Sequence, residues 1–288
     1  MIMSKTVVTV IGAGGKMGTR TSNNLAKAKN EVGLYLVETG EKGIKSVKDR
    51  GLRLTPMEEA VAKSDVTVLA VPDSVINDAS KPVVAVMRPG SALIILDPAA
   101  AVARELSLRD DCTFAVVHPC HPSYFLDQDT YEARHDYFGG MGGKQDIVIA
   151  KVQGDDNKFA QCRRIAEIMF NPVEHSYVMG IRDIAFLEPT LVELLGATCL
   201  YAMAETVKEA EKKGIQREAA ISFLSGHIYN LSANFLGFLG KTPVSDACKV
   251  AIGLGNKYVL RDNWKDIWKD EFLDKAIATM LHPENPQI

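Results

Sequence analysis

The sequence predicts an α/β fold: a doubly wound parallel sheet followed by a mainly α-helical C-terminal domain. Three observations carry that prediction. Short apolar runs with strand propensity alternate with helical stretches over the first 180 residues. The first run ends abruptly in glycine, Val7 to Gly18 reading VVTVIGAGGKMG. From about Ile181 the strand-like runs stop and long helical stretches take over. The domain boundary is accordingly expected at 180/181, giving domains 1–180 and 181–288.

Val7, Val8, Val10 and Ile11 form the first strand, and Thr19 onward reads as a helix. Strand, glycine turn and helix together form the context that gives a glycine fingerprint meaning. Glycine allows the tight turn and lets the backbone approach a pyrophosphate, while the helix aims its N–H groups and positive dipole end at it. Two spacings fit: Gly12-Ala13-Gly14 with Met17 in the third position, or Gly12, Gly15 and Gly18, with Lys16 inside the turn in both. Glu38 closes the second apolar run, Leu34 to Val37, twenty residues after Gly18. An acidic residue there binds ribose hydroxyls and repels a 2′-phosphate, which favours NAD over NADP. The plainer alternative is a solvated Glu at a strand end.

After Glu38, a helical excursion is expected over 40–50, a brief strand over Leu52–Leu54 and a short helix over Pro56–Lys63. Asp65 to Val71 is the continuous apolar run of a strand buried on both faces, and it ends in Val71-Pro72-Asp73. Ligands bind at such strand ends, so these three residues are placed along the cofactor. Ile76–Met87 reads as a helix despite Pro82, Leu93–Leu96 as a strand ending at Asp97-Pro98, and Thr113–His118 as another strand. Residues 123–143 read as a glycine-rich loop, 146–151 as a strand, 157–170 as an amphipathic helix and 175–178 as a last strand.

Helices are expected over Pro189–Lys213, Arg217–Leu236 and Trp264–Met280. The first is apolar on nearly every side from Leu191 to Met203, so it must be buried, which points to packing against both its own domain and a second subunit, and so to a homodimer. A net charge of −3 gives no reason to expect nucleic acid or an anionic membrane as partner. Five cysteines without a CxxC pair argue for a reducing compartment. The N-terminal run lacks a signal-peptide pattern, and no uninterrupted apolar segment approaches the length of a membrane helix. A cytoplasmic enzyme with a small-molecule substrate is expected.

The chemistry-bearing tetrad is His118-Pro119-Cys120-His121, at the end of a sheet strand. His118 there can act as a general base on an alcohol as hydride leaves to NAD, or as a metal ligand. Prolines stiffening a loop around hydrogen-bonded histidines are the bland alternative. Glu188 precedes Pro189, a residue suited to the first turn of the long helix, so Glu188 is either a helix-start carboxylate or a partner of His118 on one divalent ion. Lys144, His227 and Asn230 are weaker candidates, and Cys120 reads as packing. A dinucleotide-sensing module without turnover is the reading from another class, and it leaves the HPCHP run without a purpose.

This pattern resembles the superfamily of 6-phosphogluconate and β-hydroxyacid dehydrogenases, ketol-acid reductoisomerases and prephenate dehydrogenases, which pair a Rossmann-type domain with a helical, commonly dimer-building one. The catalytic lysine of β-hydroxyacid dehydrogenases is missing from Gly180–Thr190. VVHPCHPSYF, YFGGMGGKQD and FLEPTLVELLGA are most similar to the D-apionate oxidoisomerases. The resemblance implies oxidation of a branched sugar acid at its 2-hydroxyl by NAD, followed by an acyloin-type shift of a hydroxymethyl group. It further implies a metal, zinc by its nitrogen ligand, on His118 and Glu188, with Gly12–Gly18 and Glu38 at the NAD site. A metal-independent dehydrogenase with His118 as base is the alternative within the class.

Overall fold

A computed structural model describes residues 5–240 and 242–286. The chain begins β1 (Thr6–Ile11), α1 (Lys16–Lys27), β2 (Val32–Val37), α2 (Glu41–Asp49), α3 (Met57–Lys63) and β3 (Val66–Leu69). It continues through α4 (Ile76–Val86), β4 (Ala92–Ile95), α5 (Ala99–Val102), β5 (Thr113–Pro119) and the short α6 (Tyr131–Arg134). Then come β6 (Gln145–Gln153), α7 (Asp156–Met169), β7 (Val173–Val178) and α8 (Ile181–Ala185).

The strands form one seven-stranded sheet in the order β2-β1-β3-β4-β5-β6-β7. β1 to β5 are mutually parallel, whereas β6 is antiparallel to β5 and β7 runs with β6. The sheet is therefore mostly parallel rather than wholly so. The reason lies in the connection: residues 120–144 carry only the four-residue α6, and without a crossover helix the chain returns antiparallel. Every residue of β3 and β4 is buried, as strands covered on both faces require. Val8, Val10, Val68, Ile94 and Val117 from the strands pack with Leu25 of α1 and Ile165 of α7 in the core. Asn24 ties those two helices together, its side-chain amide donating to the carbonyls of Met169 and Asn171 at 3.0 and 3.1 Å.

The expected strand over Leu52–Leu54 is not formed. The segment gives the outer edge of β2 a single backbone bond, Thr55 N–H to Leu36 O at 2.8 Å, which is no ladder. The chain divides into two compact units, Met1–Phe186 with Asp274–Ile288, and Leu187–Leu273. Relative to the expected boundary at 180/181, α8 lies with the first unit, and residues 274–286 return to that unit.

The helix expected from Pro189 begins eight residues earlier. Gly180 precedes α8 and its N–H donates to Asp183 Oδ2 at 2.9 Å, a helix-start signal the sequence reading passed over. From Ile181 the chain is helical to Lys212, as α8, a π-helical stretch Phe186–Ala197 and α9 (Thr198–Lys212). Pro189 lies inside the π-helical stretch, where the wider turn accommodates a residue without an N–H. This run is long and apolar enough to cross a membrane by length and composition, with a mean hydropathy of 1.4. The sequence expectation counted only uninterrupted apolar residues.

The second unit continues with α10 (Arg217–Phe235), packed against α9, and α11 (Asp246–Tyr258); α12 (Asp270–Leu281) then leads back to the first unit. Burial here is slight: α9 buries only Val207 and α10 only Ala233. Leu200, Tyr201 and Phe223 stand exposed, so the burial expected of the apolar run is not met within one chain.

Candidate cofactor and catalytic site

The glycine turn sits where β1 gives way to α1. Gly12 has φ +77°, and a Cβ there would collide with the carbonyl of Ala70 beyond β3. A Cβ on Gly18 would strike Gly12 and Ala13, so the third close contact of the turn is made by Gly18 rather than Met17. The helix starts at Lys16, three residues before the expected Thr19, with Gly15 as its cap. Its first turn has no acidic residue and its cap no side-chain hydrogen bond, leaving the positive end of the helix without a carboxylate of its own. The turn is held by Gly12 and Ala13 N–H groups donating to Val37 O at 3.0 and 3.1 Å.

Glu38 lies beside this turn. Its Oε2 accepts from Gly14 N–H at 2.9 Å, and Oε1 accepts from Thr39 and Gly40 N–H at 2.9 and 3.1 Å. The carboxylate thus fixes the turn, and its remaining lone pairs stay available to other donors. Sequence reasoning missed Arg50, at the end of α2. Its guanidinium donates at 2.8 Å to Ala13 O, Ser22 Oγ and Asn23 Oδ1, bracing the turn and α1 together. No local pattern marks this residue: its one nearby partner is the Ser46 carbonyl, and the three on the turn and α1 lie 27 to 37 positions away.

Val71 is half-buried beside Gly12, and Pro72 starts a single 3₁₀ turn, Asp73–Val75, leading into α4. Asp73 is exposed at its surface, and partial desolvation by its surroundings raises its carboxyl above the ordinary range, opposed by His118. His118 sits near the end of β5. Its Nδ1 lies 2.9 Å from Leu96 O, a bond only an N–H can make, so Nε2 carries the lone pair. Burial lowers the imidazole from its ordinary value, partly offset by that bond and by Asp73. The ring is therefore neutral at pH 7, the form a metal ligand or a general base needs.

Asp97 follows β4, and its Oδ1 accepts from Ala99 N–H at 2.7 Å, which fixes the carboxylate. A carboxylate oxygen of Asp97 and a ring nitrogen of His118 lie within 4.8 Å of one another. An oxygen and a nitrogen donor so placed fit a single divalent ion, and the Leu96 carbonyl supplies the outer hydrogen bond that orients a ligating imidazole. The sequence shows Asp97 only as the end of a strand.

Glu188 belongs to the second unit, half-buried within the π-helical stretch. It is not a helix-start carboxylate, because the helix begins at Ile181. The other candidates are engaged locally: Lys144 with Asp129 at 2.8 Å, and His227 with Phe223 O at 2.7 Å, while Asn230 is exposed on α10.

Residues 1–148 match the acetohydroxy acid isomeroreductase NADPH-binding domain, and residues 126–281 match the phosphogluconate dehydrogenase (decarboxylating) C-terminal family. A D-apionate oxidoisomerase of Blautia hydrogenotrophica is 70% identical over 287 residues, 99% of this chain and 100% of that protein. The chain belongs to the D-apionate oxidoisomerase family. Another member of that family, from Pectobacterium atrosepticum, is 38% identical, with 95% of each chain covered. A solved structure described as a semialdehyde dehydrogenase NAD-binding protein from Cupriavidus necator, in complex with calcium and NAD, matches with a TM-score of 0.91. It is 37% identical and covers 96% of this chain and 100% of its own. An NADH-preferring ketol-acid reductoisomerase from an uncultured archean, 15% identical with a TM-score of 0.65, shares the fold of the family.

Proposed function

We propose that this protein is an NAD-dependent oxidoisomerase. It oxidises D-apionate at the 2-hydroxyl and rearranges the product to 3-oxo-isoapionate. The observation that carries the reading is the pairing of the glycine turn and Glu38 with the Asp97–His118 pair, all at the ends of strands β1, β2, β4 and β5 in a chain of this family.

The N–H groups of the turn from Gly12 to Gly18 and the start of α1 hold the pyrophosphate, with Ala13, Gly14, Gly15, Lys16 and Met17 lining it. Glu38 receives the ribose hydroxyls and disfavours a 2′-phosphate, and Val71, Pro72 and Asp73 flank the cofactor. His118 and Glu188, joined by Asp97, hold a divalent ion, with zinc suited to the nitrogen ligand. When bound, NAD supplies the hydride acceptor and the ion a Lewis acid for the hydroxyl and the new ketone. The lone pair on Nε2 of His118 suits a general base equally well, and that metal-independent mechanism is the second reading.

The exposed apolar side chains of α9 and α10 support a homodimer, a second copy covering them. Five free cysteines support the cytoplasm.

The test is NADH formation at 340 nm from D-apionate and NAD, before and after chelation, with the product identified by NMR. A chelator-sensitive signal with a rearranged 3-oxo product is expected, and His118→Ala and Glu188→Gln should each abolish it and lose stoichiometric metal. Turnover that survives chelation leaves His118 as a plain base. A chain that binds NAD and turns over no hydroxy acid is a sensor.

A further inference from the structure

The reading above uses one histidine of the HPCHP run and leaves the other unexplained. His121 is held as carefully as His118. Its backbone is left-handed, φ +60°, a conformation uncommon outside glycine and found where function over-determines the chain. Its Nδ1 lies 2.7 Å from Phe138 O, so Nδ1 carries the proton and Nε2 the lone pair, the same tautomer that Leu96 imposes on His118. The two rings are 6.4 Å apart, edge to face.

The setting of His121 is built as well. Arg20 is only 4% exposed, with its Nη2 donating to Gln145 Oε1 and its plane between Phe138 and Phe170, while its Nη1, 3.5 Å from Nδ1 of His121, is too distant to compete with the 2.7 Å bond to Phe138 O. Asp136 accepts from the N–H groups of Gly139, Met141 and Gly143, which fixes the loop that presents the Phe138 carbonyl. The fold therefore holds two imidazoles in the same tautomer, each fixed by a backbone carbonyl, with ring centres 6.4 Å apart.

The proposed reaction, on which this inference rests, needs proton handling at two adjacent oxygens. In the first half the carbinol carbon gives a hydride to NAD and its hydroxyl a proton, leaving a ketone. The second half is redox-neutral. The O–H bond of the neighbouring tertiary hydroxyl breaks and its carbon becomes the new ketone. The hydroxymethyl group carries its bonding pair to the first carbonyl carbon, whose oxygen takes up the proton. We propose that His121 is the catalytic residue of this second half: Nε2 takes the proton from the tertiary hydroxyl and returns it to the neighbouring oxygen. The role is the same whether His118 binds a metal or acts as a base.

The test uses the full-length enzyme with His121→Asn and His121→Gly, both compatible with the left-handed backbone, and reads NADH formation and product structure separately. Wild type must first give NADH and rearranged product from D-apionate; if it does not, the functional reading fails and takes this one with it. In the variants we expect NAD affinity and single-turnover NADH formation within about threefold of wild type. Rearrangement should slow on the order of 10²–10⁴-fold, so that the unrearranged 2-oxo acid is released. Added imidazole should restore rearrangement in His121→Gly. Variants that partition to product as wild type does, or that lose both halves equally without rescue, overturn the assignment and leave His121 as a loop anchor.

Discussion

At the scale of single residues, Glu38 couples the shape of the turn to the proposed recognition of NAD. It accepts three backbone N–H groups around the glycine turn, so removing the side chain would disturb the turn itself. Glu38→Gln keeps an acceptor oxygen and removes the charge proposed to repel a 2′-phosphate. We expect NAD binding to weaken by less than about tenfold while discrimination against NADP falls by more than that, a difference on the order of 1.4 kcal/mol or above, measured by fluorescence titration with both dinucleotides. Unchanged discrimination would assign Glu38 to the turn alone. The glycines and Glu38 were legible in the sequence because a glycine turn after a strand, with an acidic residue about twenty positions on, is a known cofactor pattern. His121 was visible in the HPCHP run but carried no role, since its tautomer is set by Phe138 O, seventeen residues away.

Among the elements, α1 depends on α2 through Arg50, which donates to three acceptors on the glycine turn and α1, each at 2.8 Å. Arg50→Ala leaves partly buried acceptors on the turn and on α1 without their donor. It should cost about 1–3 kcal/mol in denaturant unfolding and weaken NAD binding in parallel. A stable variant with weakened NAD binding would make Arg50 a brace of the turn only.

The end of α12 gives a prediction of opposite character. His282 Nε2 lies 2.9 Å from Glu105 Oε1 past α5, and this partner raises the imidazole above its ordinary value. A raised value in the folded state means the pair contributes fully below the unfolded imidazole value of about 6.5 and is lost as pH rises through the folded one. Amide exchange at the end of α12, corrected for intrinsic rate, should therefore be faster at pH 8 than at pH 6. His282→Gln should remove that difference. Equal protection at both pH values in the wild type would show that the pair does not hold the helix end. The strand and helix pattern of the first 180 residues was readable element by element. The start of the long helix at Ile181 was not, because Pro189 reads as a first-turn residue and a π-helical stretch has no sequence period of its own to reveal it.

For the whole molecule, the second unit leaves Leu200, Tyr201 and Phe223 at 55%, 69% and 71% exposure, far more apolar surface than a solitary helical unit carries without a partner. Light scattering should give twice the mass of the chain, and Phe223→Glu on α10 should shift the population toward the monomer and lower the thermal midpoint. A wild-type monomer recovered without detergent would remove the dimer, and recovery only with detergent would turn attention to the apolar run from Ile181 to Lys212.

The sequence by itself determined the α/β class, the glycine turn with its acidic partner and the histidine at a strand end, because each shows as a periodic apolar run or as a motif of fixed spacing. Only the tertiary structure decided the reversed direction of β6 and β7, the bracing by Arg50, the pairing of Asp97 with His118 and the matching tautomers of His118 and His121. Those depend on groups distant in sequence, which become neighbours only once the sheet order is set.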